Sequence, residues 1–336
     1  MNHKITIPRI EATSSFRTLG VHLSPSGSNT GALAVMESFV LDYCTTLRGS
    51  HLNRQDALMS YIQYLLPKLR FQPPVLSLTK RQCDKLVSPI YMALLPKLHI
   101  NRHTSRSIIF GPERLGGLSL PHIYVVTNID KLQLFLGHLR IKDRTGNLIH
   151  IDLTYLQLLS GSGTFFMNQD PSTYSWIDTG WLHSLWVFTS HHSLHFYYPK
   201  QWLPLKSRQN DKFFMEIFNT LKGTYKDMEI LNRCRLFLQV ITLSDITNAA
   251  GDRLIIEAKT GLLLSSRPSS LLWPNQGPPS QADWKVWMHY LSLLEVNGKL
   301  LSPLGEWISS THQKWYHQID PSTGIVYDLM GPSIKS

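Results

Sequence analysis

Cysteine is scarce in this 336-residue chain: Cys44, Cys83 and Cys234 are its only three, far apart and never in a CxxC pair. That excludes a disulfide framework and a cysteine-built zinc site, and it leaves buried reduced thiols as the expectation. No apolar run approaches the roughly eighteen residues that a membrane helix requires. The opening MNHKITIPRI lacks the apolar core of a signal peptide. These absences predict an intracellular chain, cytoplasmic or nuclear, that is neither secreted nor held in a membrane. Catalytic signatures are missing too. LGGLSLP has neither the spacing nor the lysine of a P-loop, and GSGT at 161–164 is only a look-alike of GxSxG.

Acidic residues are sparse in one half. Residues 1–150 carry 18 Lys/Arg against 8 Asp/Glu, a net +10, whereas residues 151–336 carry 15 of each. The imbalance is steepest from Lys68 to Arg106, where Lys68, Arg70, Lys80, Arg81, Lys85, Lys97, Arg102 and Arg106 face the single acid Asp84. A cationic stretch of this density points to a polyanionic partner, because each phosphate it contacts releases counterions.

Two constellations deserve weighing as catalytic sites. HHSLH holds His191, His192 and His195, with His183 upstream. On a continuous helix His191 and His195 would share a face as a metal pair, although Ser193 stands where an HExxH site needs Glu. Asp245 in LSDI follows an apolar run, as catalytic aspartates often do, but one acid does not make a two-metal site. Local hydrogen bonding explains the imidazoles, and a cap or turn explains Asp245.

Hydrophobic spacing predicts a mainly α chain with short β hairpins, an α+β arrangement. Leu19, Val21 and Leu23 alternate with Thr18, Gly20 and His22 as in a half-buried strand, and SPSG follows as a turn. Helical stripes then run from Leu33 to Leu47, from Leu58 to Leu66 before Pro67, and from Cys83 to Leu95 across Pro89. IIFGPERLGGLSLP (108–121) reads as a turn-rich or hairpin segment, and Ile123 to Leu139 as a long amphipathic helix. Further stripes appear at 174–188 and 213–221. Leu236, Leu238, Val240 and Thr242 alternate like a strand, with NAAGD (248–252) as a turn to another.

Taken in order, FRTLGVHLSPSG, LRGSHLNRQDALMSYIQYLLPKLRF, LTKRQCDKLVSPIYMALLPKLHINR and IIFGPERLGGLSLP resemble the region after the catalytic palm in reverse transcriptases of non-LTR (LINE-type) retrotransposons. GHLRIKDRTG and SPLGEWISSTHQKWYHQID resemble the downstream part of the same polyproteins. In that family the chain leaves the Asp-Asp strand of the palm, passes a short hairpin bearing a Leu-Gly pair, and enters a helical thumb that packs on the template–primer duplex.

The resemblance implies a primer-grip-like role for Leu19 and Gly20. It implies phosphate contacts from Arg48, Arg54, Lys68, Arg70, Lys80, Arg81, Arg102 and Arg106. It divides the chain into an end-of-palm strand or hairpin remnant (1–28), a basic helical thumb-like domain (29–160) and a mixed helical and strand region (161–264). A Pro/Ser-rich linker (265–282) and a Trp-rich C-terminal unit (283–336) follow. The chain has no Asp-Asp dipeptide, so the family's magnesium-dependent polymerisation is not expected of it, and no cofactor or metal is assigned. The expectation is a remnant of a reverse transcriptase, or a piece whose palm is encoded upstream, with residual sequence-independent duplex binding. The alternatives are a non-catalytic structural or protein-interaction module, and a metal-dependent nuclease using His191, His195 and Asp245.

Overall fold

Two residues decide how the chain begins to fold. Leu19 and Gly20 both take positive φ, +49° and +89°, the pair of values a type I′ turn demands. They join β1 (Phe16–Thr18) to β2 (Val21–Leu23) in an antiparallel hairpin with Phe16 opposite Leu23 and Thr18 opposite Val21. The expected single strand over Thr18–Leu23 is therefore corrected to a hairpin, because the left-handed turn interrupts the alternation at its centre. The hairpin leans on helices of the same chain. A Cβ on Gly20 would lie 3.1 Å from the Phe71 ring, and the His22 N–H points at Gln72 Oε1 3.4 Å away. Leu19 itself is 94% exposed at the tip. Leu19→Asn should raise stability by about 0.5–1 kcal/mol, since Asn tolerates left-handed φ far better than Leu; an unchanged urea midpoint would count against this turn.

The computed structural model describes residues 11–221, 223–262, 273–274 and 277–308, and the backbone alone of 315–319, 326–330 and 333–334. It is mainly α with short β hairpins. By contacts the chain divides into two units, one comprising residues up to His150 with Thr179–Ser193, the other Ile151–Asp178 with the residues from Leu194 onward.

In the first unit, α1 (Thr30–Gly49) buries Ala32, Met36, Val40, Tyr43, Cys44 and Leu47 along one side. It packs beside α4 (Lys80–Lys97). The two run parallel: Asn29 before α1 donates to the Ser77 carbonyl just before α4 at 3.0 Å, and Lys97 at the end of α4 donates to the Ser50 carbonyl at 2.5 Å. Thr79 and Gln82 close a reciprocal capping box on α4.

Between them, α2 (Arg54–Met59) passes through a π turn (Ser60–Leu65) into α3 (Leu66–Phe71). A proline at position 67 would ordinarily end or kink such a helix. Instead the preceding turn widens, and the Leu66 N–H bonds five residues back to Tyr61. Pro67 has no N–H and its ring crowds the carbonyl four residues back, so the wider turn accommodates it.

After α5 (Arg106–Phe110) the segment 111–121 is a chain of turns, with Gly117 so close to Gly111 that a Cβ would lie 2.1 Å from its carbonyl oxygen. Then α6 (Ile123–Ile141) follows the span its spacing predicts, its first turn capped by His122. The division between units falls inside α7 (Arg144–Ser160). Of the expected stripe over 174–188 only the later part is helical, in α8 (Trp181–His191), and a short 3-10 turn at Pro171–Thr173 precedes the stripe. Gly180 is extended there and stops any continuous helix.

In the second unit the turn GSGT is pinned. The buried amide of Gln157 donates to the carbonyls of Ser162 and Thr164, and accepts from the Phe166 N–H. Beyond α9 (Phe214–Thr220) the expected strand at 236–242 is overturned. α10 (Tyr225–Phe237) covers its start, and a 3-10 turn at Leu243–Ile246 follows. The Thr224–Asp227 capping box sets that helix, and once Leu236 and Leu238 are buried by it the alternation carries no strand signal. NAAGD does turn the chain, with Gly251 at φ +73°, but between an isolated Thr247–Leu254 bridge rather than two strands.

α11 (Ile256–Thr260) and α12 (Gln281–Ser292) complete the helices, and α12 packs on both α10 and α11. Most of the Pro/Ser-rich stretch 265–282 lies outside the described residues. The short hairpin of β3 (Glu295–Val296) and β4 (Lys299–Leu300) precedes a three-stranded antiparallel sheet of β5 (Trp315–Ile319), β6 (Val326–Met330) and β7 (Ser333–Ile334). Among the described residues, no helix is long and apolar enough to cross a membrane.

Candidate nucleic-acid interface

The eight basic residues expected to contact phosphates all lie in the first unit, and all are exposed. Arg48 closes α1, and Arg54 opens α2 five residues beyond Gly49. Lys97 reaches over the same end of the α1–α4 pair to Ser50. Arg81 begins a second face of α4 with Lys85 one turn on, and Arg102 follows the C-terminus of that helix. Lys68 rests over two rings, 3.9 Å from the centre of Tyr64 and 5.5 Å from that of Phe39. Such contacts leave an ammonium free to meet an anion. Lys80 and Arg106 face a common cavity instead.

Arg70 departs from the expectation. Its guanidinium grips Asp130 with two bonds, of 2.9 and 2.6 Å. This bidentate geometry commits the side chain to α6, and it raises the Arg70 pKa further. No spacing in the sequence announces a pairing across sixty residues. Among the described residues the other seven have no carboxylate within ion-pair distance.

Four cations of the second unit are built into its fold. Arg235 is fully buried, bonding Asn232 and the Leu158 and Leu159 carbonyls at the end of α7. Arg208 bonds the carbonyls of Gly305 and Ala249, at 2.8 and 3.0 Å, and lies 4.8 Å from the Trp307 ring centre. Arg233 pairs with Asp283 and Lys259 with Glu295. These charges hold the fold, which matches the neutral balance of that half.

One cation of the first unit is also structural and escaped the sequence reading. Lys131 on α6 is 2% exposed, with Nζ on the Leu76 carbonyl at 2.5 Å and the Ser184 hydroxyl at 2.8 Å. Burial pulls its pKa from 10.5 down to about 8. The folded state therefore binds fewer protons than the unfolded chain between these two values, so stability from this group rises as pH climbs through that window. At about 1.4 kcal/mol per pKa unit, going from about pH 7.5 to about pH 9.5 should relieve about 2 kcal/mol. Lys131→Met should lose that increment. Parallel urea-stability profiles for the two proteins over this range would refute it.

The proposed metal residues do not assemble. α8 ends at His191, with Ser193 at φ +53° just beyond, so His191 and His195 share no helical face. Asp245 spends Oδ2 on the N–H groups of Ile241 and Thr242, each at 2.8 Å, as the cap of its turn. Among the described residues no three His, Cys, Asp or Glu side chains form a group able to hold a metal ion. The three cysteines are free and buried. Burial pushes the Cys83 and Cys234 thiols up to about 12, far from a reactive thiolate.

Leu19 and Gly20 sit together at the hairpin tip, Leu19 fully presented to solvent. The hairpin is followed directly by α1, so a tip and a basic helical unit adjoin in sequence. No family model, no curated protein and no solved structure matches this chain.

Proposed function

We propose that the first unit grips a nucleic-acid duplex by its phosphates, in the manner of the thumb of a non-LTR retrotransposon reverse transcriptase, and supplies no polymerase chemistry itself. One observation carries this reading: in the unit that holds the net charge of +10, seven exposed Lys and Arg side chains have no carboxylate within ion-pair distance among the described residues, whereas the exposed lysines of the other unit belong to a half with as many acids as bases. Contacts of this kind position a duplex without reading its bases. Arg48, Arg54, Lys68, Lys80, Arg81, Arg102 and Arg106 are the proposed contacts, with Leu19 and Gly20 at the strand-end side of the grip. Arg70 is withdrawn from the set because Asp130 holds it. The grip needs no cofactor or metal. A nuclease reading is disfavoured, since Asp245 is committed to backbone and His191 and His195 share no helical face.

The test is fluorescence anisotropy of a labelled RNA–DNA hybrid against the full chain in a salt series. Binding that is tight at low salt and falls steeply with salt supports the grip; binding absent at low salt overturns it.

A further inference from the structure

A cavity of about 590 Å³ opens within the first unit among α4, α5, the start of α6 and the end of α8. One stripe of α4 forms its floor, with Lys80, Asp84, Val87 and Tyr91 at helical spacing. Arg106 lies with its guanidinium carbon 5.0 Å from the centre of the Tyr91 ring. Phe110 stands edge-on to Tyr91 at 5.5 Å and to His122 at 4.6 Å. His191 and His192 border the α8 side.

The polar groups of this cavity are unevenly committed. His122 accepts the Tyr124 N–H on Nδ1 at 3.2 Å, so its proton resides on Nε2, which faces Asp84 at 3.1 Å. Burial holds the His122 pKa below its ordinary value, and these two contacts fix the ring. Asp84, the only carboxylate among the described residues that line the cavity, is thereby engaged. Lys80 and Arg106 have no such partner among the described residues. Two free cations beside an aromatic wall suit a ligand with a phosphate at one end and a flat ring at the other.

We propose that this cavity binds a nucleoside monophosphate unit, its phosphate on Lys80 and Arg106 and its base against Phe110. The unit is either a free nucleotide or the unpaired 5′-phosphorylated nucleotide at a strand end, and the second form rests on the duplex-grip reading above. His192 adds a pH readout. Its pKa is held down by burial, then by His191 and Lys80, with Asp84, Arg106 and His122 facing the same cavity. A bound phosphate favours the imidazolium, so affinity rises as pH falls through the His192 titration.

The experiment is calorimetric titration of the full chain with adenosine 5′-monophosphate, adenosine and inorganic phosphate. AMP should bind at least about tenfold more tightly than either part. Lys80→Gln and Arg106→Gln should each weaken it by about tenfold, the scale of one charge-assisted bond, with circular dichroism unchanged. Phe110→Leu should weaken AMP but not phosphate. Tightening from about pH 7.5 to about pH 6 should disappear in His192→Gln. A parallel anisotropy arm compares a blunt hybrid with one carrying a single unpaired 5′-phosphorylated nucleotide. If free AMP fails but the overhang binds more tightly, and Lys80→Gln removes that gain, the strand end is the ligand. Phosphate binding as tightly as AMP, AMP binding indifferent to Lys80→Gln and Arg106→Gln, or no binding in either arm overturns the proposal. The duplex grip fails separately: Arg48→Gln, Arg54→Gln and Arg81→Gln should weaken the blunt hybrid and leave AMP binding unchanged.

Discussion

Raising the salt from about 50 to about 200 mM should weaken binding of the hybrid duplex by about 10³- to 10⁴-fold. Each neutralised phosphate contributes a slope of about −0.9 to the plot of log affinity against log salt, so seven contacts give a slope near −6 for a B-form duplex. Each of Arg48→Gln, Arg54→Gln and Arg81→Gln should flatten the slope by about 1 and weaken all sequences alike. Arg70→Gln is the internal control. Its guanidinium is already neutralised by Asp130 at 2.6 Å, so the slope should stay where it was, although stability falls as that exposed pair is lost. A slope near zero in the wild type, or an Arg70 variant that flattens it as much as the others, would show that the cations do not act as a phosphate grip.

Trp287→Ala should destabilise the second unit by about 3–5 kcal/mol, the range for removing a fully buried Trp. Trp287 on α12 is 0% exposed. Its ring lies 5.6 Å from Phe214 and 5.7 Å from Phe218, and its Nε1–H donates to the Ala258 carbonyl at 3.0 Å. The substitution leaves a cavity between α9 and α12 and strands that carbonyl, two penalties in one residue. Since whole domains are stable by only about 5–15 kcal/mol, a large part of the folded population is at stake. Trp307 provides the contrast: it is 49% exposed and touches the Arg208 guanidinium, so Trp307→Ala should cost about 1 kcal/mol or less. Urea denaturation read by far-ultraviolet circular dichroism measures both. Equal losses for the two tryptophans would refute the packing described for α12.

What the sequence determined by itself is local in origin. The spacing of Met36, Val40, Tyr43 and Leu47, and of Ile123 to Leu139, specified helices because a 3.6-residue period puts those side chains on one face whatever they pack against. Thr79 and Gln82 fix the start of α4 because a capping box closes within four residues. The net charge of +10 in the first 150 residues required no fold at all to be read. The mainly α architecture follows from these short-range rules.

Tertiary structure decided the rest, for reasons that distance along the chain conceals. Only folding brings Asp130 to Arg70 and removes that arginine from the cationic set, and only folding buries Lys131 against Leu76 and Ser184. The Leu19-Gly20 pair became a turn because β2 had to fold back and pack beside α1; alternation alone could not distinguish one strand from two. Leu236 to Thr242 alternates as a strand would, but the capped helix from Tyr225 had already claimed Leu236, and burial on a helix erased the pattern's meaning. The cavity holding Lys80, Arg106 and His192 is assembled from segments more than a hundred residues apart. A charge count shows that a chain is cationic, but which cations are free to meet an anion depends on which carboxylates the fold has brought to them.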